Sequence, residues 1–344
     1  MKGIFNFKER KFDIILFASF FIGILLISAT YAWFSASLDA SVNFIDMKIN
    51  TESGLYISLD GEEFTSNIQI SKETVIEELN EKYPTHMNQW SGYGLYPLSS
   101  AGIPHSDTYL FDIFGISKVM NYFDNGRDIR IINTHKVPEK QRVSTSLFLA
   151  FDIFLKSISN SPMPDNLFIG ESTNVVQTEG TEADGTVNSL RIGMSKVGTV
   201  HKTSTVEERQ TVTCNNKCES IIYEPNAYRH SKESIERLEE MGISIFDGRL
   251  SNTFAVIGEG KKLSILNGQI GTGIPLDLIH FKVQDTVTTK LEPIFKLPSG
   301  ITKFRVYIWV EGQDLDSLET ISEGTKLDVN INLRKDISGY EYYD

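Results

Sequence analysis

Six histidines and two cysteines are the residues best equipped for metal or nucleophilic chemistry, and their spacing decides what they can do. The histidines are His86, His105, His135, His201, His230 and His280. No pair stands in the His-Glu-x-x-His spacing that puts two zinc ligands and a general base on one helical face. Serines are plentiful, but no Gly-x-Ser-x-Gly elbow presents one as a nucleophile. Gly258-Glu259-Gly260-Lys261-Lys262 has the glycine and lysine content of a phosphate loop. It lacks the four-residue spacer and the hydroxyl residue after lysine that cradle phosphates and hold magnesium, so it reads as a strand-connecting turn. No cofactor is expected.

Cys214 and Cys218 stand in Cys-Asn-Asn-Lys-Cys. An oxidising compartment favours a disulfide closing this small loop. The alternative is a redox pair, although the spacing has one residue more than the thioredoxin-like motif. Asp314, Asp316 and Glu319, following Glu311, could supply hard oxygen ligands to calcium, as could Asp124-Asn125-Gly126-Arg127-Asp128. Neither follows the EF-hand order, and acidic turn residues ordinarily bind water and backbone, so no metal is assigned. In Asn88-Gln89-Trp90-Ser91-Gly92-Tyr93-Gly94-Leu95-Tyr96 the rings of Trp90, Tyr93 and Tyr96 could stack on a sugar or peptide. They could equally fill the base of a long loop.

The elements around these residues begin with an apolar run, Ile14 to Phe34, preceded by Lys2, Lys8, Arg10 and Lys11. At ~1.5 Å per residue a helix over this run reaches across a ~30 Å hydrocarbon core. The basic flank predicts that everything after Phe34 is exported across the cytoplasmic membrane. Small residues at Thr30 and Ala32 mark a signal-peptidase site with Trp33 as the first mature residue, and a retained signal anchor is the competing reading. The chain has 33 Lys+Arg against 45 Asp+Glu, a net charge of -12, so nucleic acid is excluded as an expected partner.

Beyond Phe34 the pattern changes to short alternating runs. Strands are predicted at 41–49, 55–59, 143–158, 166–169, 189–194, 254–257, 263–266, 278–283, 303–310 and 326–333. Asp60-Gly61 is a hairpin turn signal. Over 143–158, Val143, Thr145, Leu147, Leu149, Phe151, Ile153 and Leu155 share one face, and half of the second face is apolar too. Short helices are predicted over 71–83 and 231–241. The expected fold is mainly β: an antiparallel, jelly-roll-like β-sandwich over 33–344, with insertions near 60–140 and 200–250, preceded by the signal or anchor helix 1–32.

Ala29-Thr30-Tyr31-Ala32-Trp33-Phe34-Ser35, leading into Ala40-Ser41-Val42-Asn43-Phe44, resembles the start of the TasA/camelysin-like exported proteins of Gram-positive bacteria, which carry a SipW-dependent type of signal peptide. Val306-Tyr307-Ile308-Trp309-Val310-Glu311-Gly312-Gln313-Asp314 resembles a late strand of the same proteins, and Ser189-Leu190-Arg191-Ile192-Gly193 adds a shorter likeness between the two ends. The resemblance implies a cell-surface location and a fibre or biofilm-matrix role. Camelysin-like chains have also been linked to proteolysis, which the histidine spacing here does not support. The expectation is therefore a non-enzymatic surface protein in which 41–49 is the candidate donor for self-association by strand addition, with pairing of this strand inside its own sheet the equal alternative. The alternative is a surface ligand-binding protein or hydrolase whose pocket is built by the two insertions.

Overall fold

Period-two alternation dominates the architecture, which is seen in a computed structural model. It describes residues 43–52, 54–71, 74, 79–86, 95, 97–100, 113–124, 127–136, 148–158, 163–179, 184–214, 218–232, 235–236, 254–256, 262–266, 281–283, 286–312, 314, 316 and 326–336. The first third holds β1 (Asn43–Thr51), β2 (Leu55–Ser58), β3 (Asn67–Ile70), the short helix α1 (Leu79–Lys82), β4 (Pro97–Ser100), β5 (Ile113–Asp124) and β6 (Arg127–Lys136). The middle holds β7 (Leu149–Ser157), β8 (Asp165–Ile169), β9 (Asn174–Glu179), α2 (Asp184–Asn188), β10 (Leu190–Val200), α3 (Val206–Thr211) and β11 (Glu219–Tyr223). The last third adds β12 (Phe254–Val256), β13 (Lys262–Leu266), β14 (Phe281–Val283), β15 (Phe295–Leu297), β16 (Gly300–Glu311) and β17 (Lys326–Asp336).

Six strands form one sheet in the order β15-β8-β17-β1-β3, with β9 following β8 along the same edge of β17. Nine form a second, ordered β11-β10-β16-β4-β5-β6-β13, in which β7 also pairs with β16 and β2 with β7. β12 and β14 pair separately. The sheets are mixed, which corrects the purely antiparallel expectation: β1 runs parallel to β17, and β4 parallel to β16. Parallel neighbours need a long crossover. Here nearly the whole chain separates β1 from β17, so no hairpin constrains their direction.

Burial follows the alternation. In β17, Leu327, Val329, Ile331 and Leu333 are buried while Asp328 and Asn330 are partly exposed. These side chains meet Met47, Ile49 and Leu167 of their own sheet and Phe151, Ile153, Ile192, Phe304 and Ile308 of the second sheet in one apolar core. Phe295 and Phe304 carry the contact from one sheet to the other, with ring centroids 5.0 Å apart. β16 is covered on both faces. Phe304, Val306, Ile308 and Val310 enter the main core, while Tyr307 and Trp309 pack with Leu98, Ile113, Phe148, Ala150 and Ile222 on the opposite side.

Each of the ten predicted strand runs coincides with an observed strand, although Leu59, Phe148, Ile158 and Ser189 fall just outside, and β10, β16 and β17 run further than expected. The stretch 60–140 supplies sheet strands rather than helical decoration alone: β3 joins the first sheet, and β4, β5 and β6 extend the second. Of the two expected helices, the first is seen as α1, and the second is helical at Lys232, Ile235 and Glu236, where Ile235 N–H donates to Ser231 O at 3.1 Å. Within the two predicted ranges, 72–73, 75–78, 233–234 and 237–241 lie outside the described residues.

Candidate functional site

Leu190 to Gly193 at the start of β10 and Val306 to Glu311 at the end of β16, with Asp314 just beyond, are joined by a buried charge cluster. The antiparallel register places Arg191 opposite Trp309. Arg191 is completely buried. Its guanidinium contacts the carboxylate of Asp314, lies 3.0 Å from Glu224 Oε1, and donates to the carbonyls of Asn188 and Leu190, each at 3.3 Å. Burial opposes its charge, but Glu224, Asp314 and Glu311 more than compensate and hold it cationic.

Glu311 is the next member. Its Oε2 accepts from Trp309 Nε1 at 3.2 Å and from the backbone N–H of Ser100 at 3.4 Å. Beyond it, Gly312 N–H donates to Leu98 O at 2.6 Å, and Asp314 Oδ1 accepts from the N–H of Asp316 at 2.9 Å. Asp316 meets His230 Nδ1 at 2.7 Å and accepts from Ser231 N–H at 2.8 Å. The acidic run after β16 thus ties β4, β10 and the segment after β11 to the end of the central strand. Burial pushes the Asp314 carboxyl up to about 6, with Glu224 and Asp316 adding to the rise and Arg191 opposing it.

A second cluster lies on the same side of the sheet, toward the other end of β16. Asp152 on β7 is fully buried opposite Arg305, which donates through Nε at 2.7 Å. Lys303 Nζ lies 3.4 Å from it, and the Tyr83 hydroxyl 2.9 Å. Burial raises the Asp152 carboxyl, but Arg305 and Lys303 overcome that and bring it below the ordinary range. Burial, then the Asp152 charge, drives the Tyr83 phenol upward. Asp152 and Tyr83 each keep one protonation state near neutral pH and are not poised for proton transfer, while burial draws the Lys303 ammonium below its ordinary range against the pull of Asp152.

The helix α3 is docked beside this cluster. A capping box between Thr205 and Glu208 starts it. Arg209 then donates to Gly61 O and Gln210 to Asp60 O, each at 2.7 Å. The receiving turn is the predicted Asp60-Gly61 signal. Asp60 Oδ1 accepts from Ser58 Oγ and from the N–H groups of Glu62 and Glu63, and Gly61 adopts φ +80°.

A third buried pair, Lys335 and Asp165, lies where the sheets meet. Lys335 Nζ is 2.8 Å from Asp165 Oδ2 and also donates to Ile158 O at 2.9 Å. The Ser157 hydroxyl accepts from Lys335 at 3.1 Å and donates to the same Asp165 oxygen at 2.9 Å.

Of the residues singled out from sequence, Cys214 and Cys218 form a disulfide with Cα atoms 5.5 Å apart, just ahead of β11. All four oxygens of Asp314 and Asp316 meet protein donors, one of them the Arg191 guanidinium on Asp314. Among the described residues no group of three or more His, Cys, Asp or Glu is arranged to hold a metal. Thr30, Ala32, Trp33, Trp90, Tyr93, Tyr96 and Glu319 lie outside the described residues, as do His105 and His280. Among the described residues no helix is long and apolar enough to cross a membrane. The three ionic clusters escape a motif search, yet two of them leave a trace, a lone charge between apolar neighbours in Leu190-Arg191-Ile192 and in Phe151-Asp152-Ile153, whereas Arg334-Lys335-Asp336 and Pro164-Asp165-Asn166 show none. No known family model, curated protein or solved structure matches the chain.

Proposed function

We propose that this chain is a non-enzymatic, exported cell-surface protein, a subunit or accessory of an extracellular fibre or matrix layer, whose two sheets form a jelly-roll-like β-sandwich. The position of β1 carries this reading. It follows the apolar segment 14–34 and lies between β17, in parallel, and β3, in antiparallel pairing, with Met47 and Ile49 in the core. Its partners make the same main-chain bonds to any copy of that strand, so a neighbouring molecule can supply it in the same register. The TasA/camelysin-like ends agree with this use. So do the ionic clusters, which tie strands of both sheets together. Residues 1–32 act as a signal peptide for signal peptidase.

Sedimentation and electron microscopy of protein released from the producing cells test the reading across a range of concentrations. Ordered polymers that disappear in Ile49→Asp are expected. A protein that stays monomeric at every concentration and binds glycans overturns the fibre role in favour of a ligand-binding one. Mass spectrometry of the released protein should find Trp33 at its N-terminus, and an uncut N-terminus in washed membranes replaces cleavage with anchoring.

A further inference from the structure

We propose that Lys335 and Asp165 condense spontaneously into an isopeptide bond that covalently locks the C-terminal strand into the fold. The inference stands on geometry and is independent of where the protein acts. The two side chains are 4% and 0% exposed, and Nζ and Oδ2 are already in contact. Lys335 pairs in register with Leu167, so Asp165 is two residues along β8 and points to the same face. Ser157 approaches from the end of β7, in the other sheet. The site therefore joins β17, β8 and β7 at the boundary between sheets.

Each requirement of the reaction has a group in place. Proximity replaces a bimolecular encounter with a held pair. Keeping two full charges out of water is costly, and a neutral amide removes that cost. The Ser157 hydroxyl accepts from Nζ and donates to Oδ2, which makes it a relay for the proton that the ammonium must give up. That transfer leaves a free amine and a neutral carboxylic acid. Lys335 Nζ then attacks Asp165 Cγ, forming the N–C bond. A second proton moves from nitrogen to the departing hydroxyl, the C–O bond breaks, and water leaves. No oxidant, reductant or cofactor is needed, and exclusion of solvent protects the product from hydrolysis.

The cluster at Asp152 shows why only one of the buried lysine–aspartate pairs is suited to this step. There Arg305 and Lys303 both face the carboxylate, and Tyr83 adds a hydrogen bond, so the group is held ionised and is a poor electrophile. Lys303 is also engaged by Gln210 O at 2.7 Å.

Intact-mass measurement of the reduced, denatured full chain tests the proposal, with Lys335→Arg as the reference. After allowance for the substitution, the native chain should be lighter by one water. Protease digestion should yield a branched peptide joining the segments around 165 and 335. Peptide mapping is needed because an Asp-Gly succinimide, for example at Asp60-Gly61, also loses one water. Ser157→Ala should retain both reacting groups but accumulate the branched peptide more slowly. Recovery of separate, unmodified peptides containing Lys335 and Asp165 from the native chain means an ion pair only and overturns the proposal. Unchanged kinetics in Ser157→Ala overturns the relay. Denaturation precedes both readouts, so a poorly folding variant does not obscure the native result.

Discussion

Glu311 turns its carboxylate back onto Trp309, two residues earlier on the same strand, and Oε2 holds the indole N–H at 3.2 Å. The ring is thereby fixed in the second apolar cluster, on the face of β16 turned away from Ile308. Both faces of this strand are therefore core. Ile308→Asp should bury an unpaired charge and cost roughly 3–5 kcal/mol. Trp309→Ala should cost a comparable ~3–5 kcal/mol through its cavity, with the Glu311 carboxylate also losing a donor. Denaturant unfolding measures both. A near-neutral Ile308→Asp would contradict the core placement of this strand, and a mild Trp309→Ala would place its second face at a rim.

Asp152 faces Arg305 and Lys303 in a buried setting, so its removal leaves two cations without their carboxylate. Asp152→Ala should destabilise the protein by about 3–5 kcal/mol. The double change Asp152→Leu with Lys303→Met should recover part of that loss, because it removes a buried charge of each sign. Equal stability of the single and double variants in urea would show that the Lys303–Asp152 contact contributes nothing.

Much of this architecture is legible in the sequence, because strands with one or two buried faces write their alternation directly, as Leu327, Val329, Ile331 and Leu333 do. β3, β4 and β15, of three or four residues, are too short to show a period, and their positions come from pairing with distant partners. The direction of β1 along β17 has no local signature, since it is set by packing Met47 and Ile49 into a core formed by residues far along the chain. The charge clusters are hidden for the same reason. Arg191 and Asp314 are separated by 123 positions, and only the β10–β16 register brings them together.

The Cys214–Cys218 bond closes a small loop, with a sequence separation of four. On chain entropy alone such a loop contributes only ~2 kcal/mol. Thiol alkylation should fail on the native protein and succeed after reductant, with the fold retained. Free thiols in freshly isolated protein would remove the disulfide, and global unfolding on reduction would show that it holds more than this loop.

Asp314 should leave a mark on the pH dependence of stability. Its folded value of about 6 lies above the ordinary 3.8, so the folded state binds the proton more tightly than the unfolded chain does. Ionised Asp314 therefore weighs against the fold above its folded value. Stability should rise as pH falls through about 6 toward 3.8, and the relief is complete below the unfolded value. Asp152 and Asp60 act in the opposite sense. Both are held below 3.8, so their contribution is present above that value and is lost as pH falls through their lowered values. Thermal unfolding across this range should give a maximum in mild acid followed by a fall. The chain's net charge of -12 also shrinks in acid and raises stability without site specificity. Asp314→Asn separates the two effects. It keeps an acceptor for Arg191 but cannot titrate, so it should flatten the rise below neutral pH while leaving the later acid loss in place. An identical rise in the variant would assign the effect to overall charge and remove Asp314 as its source.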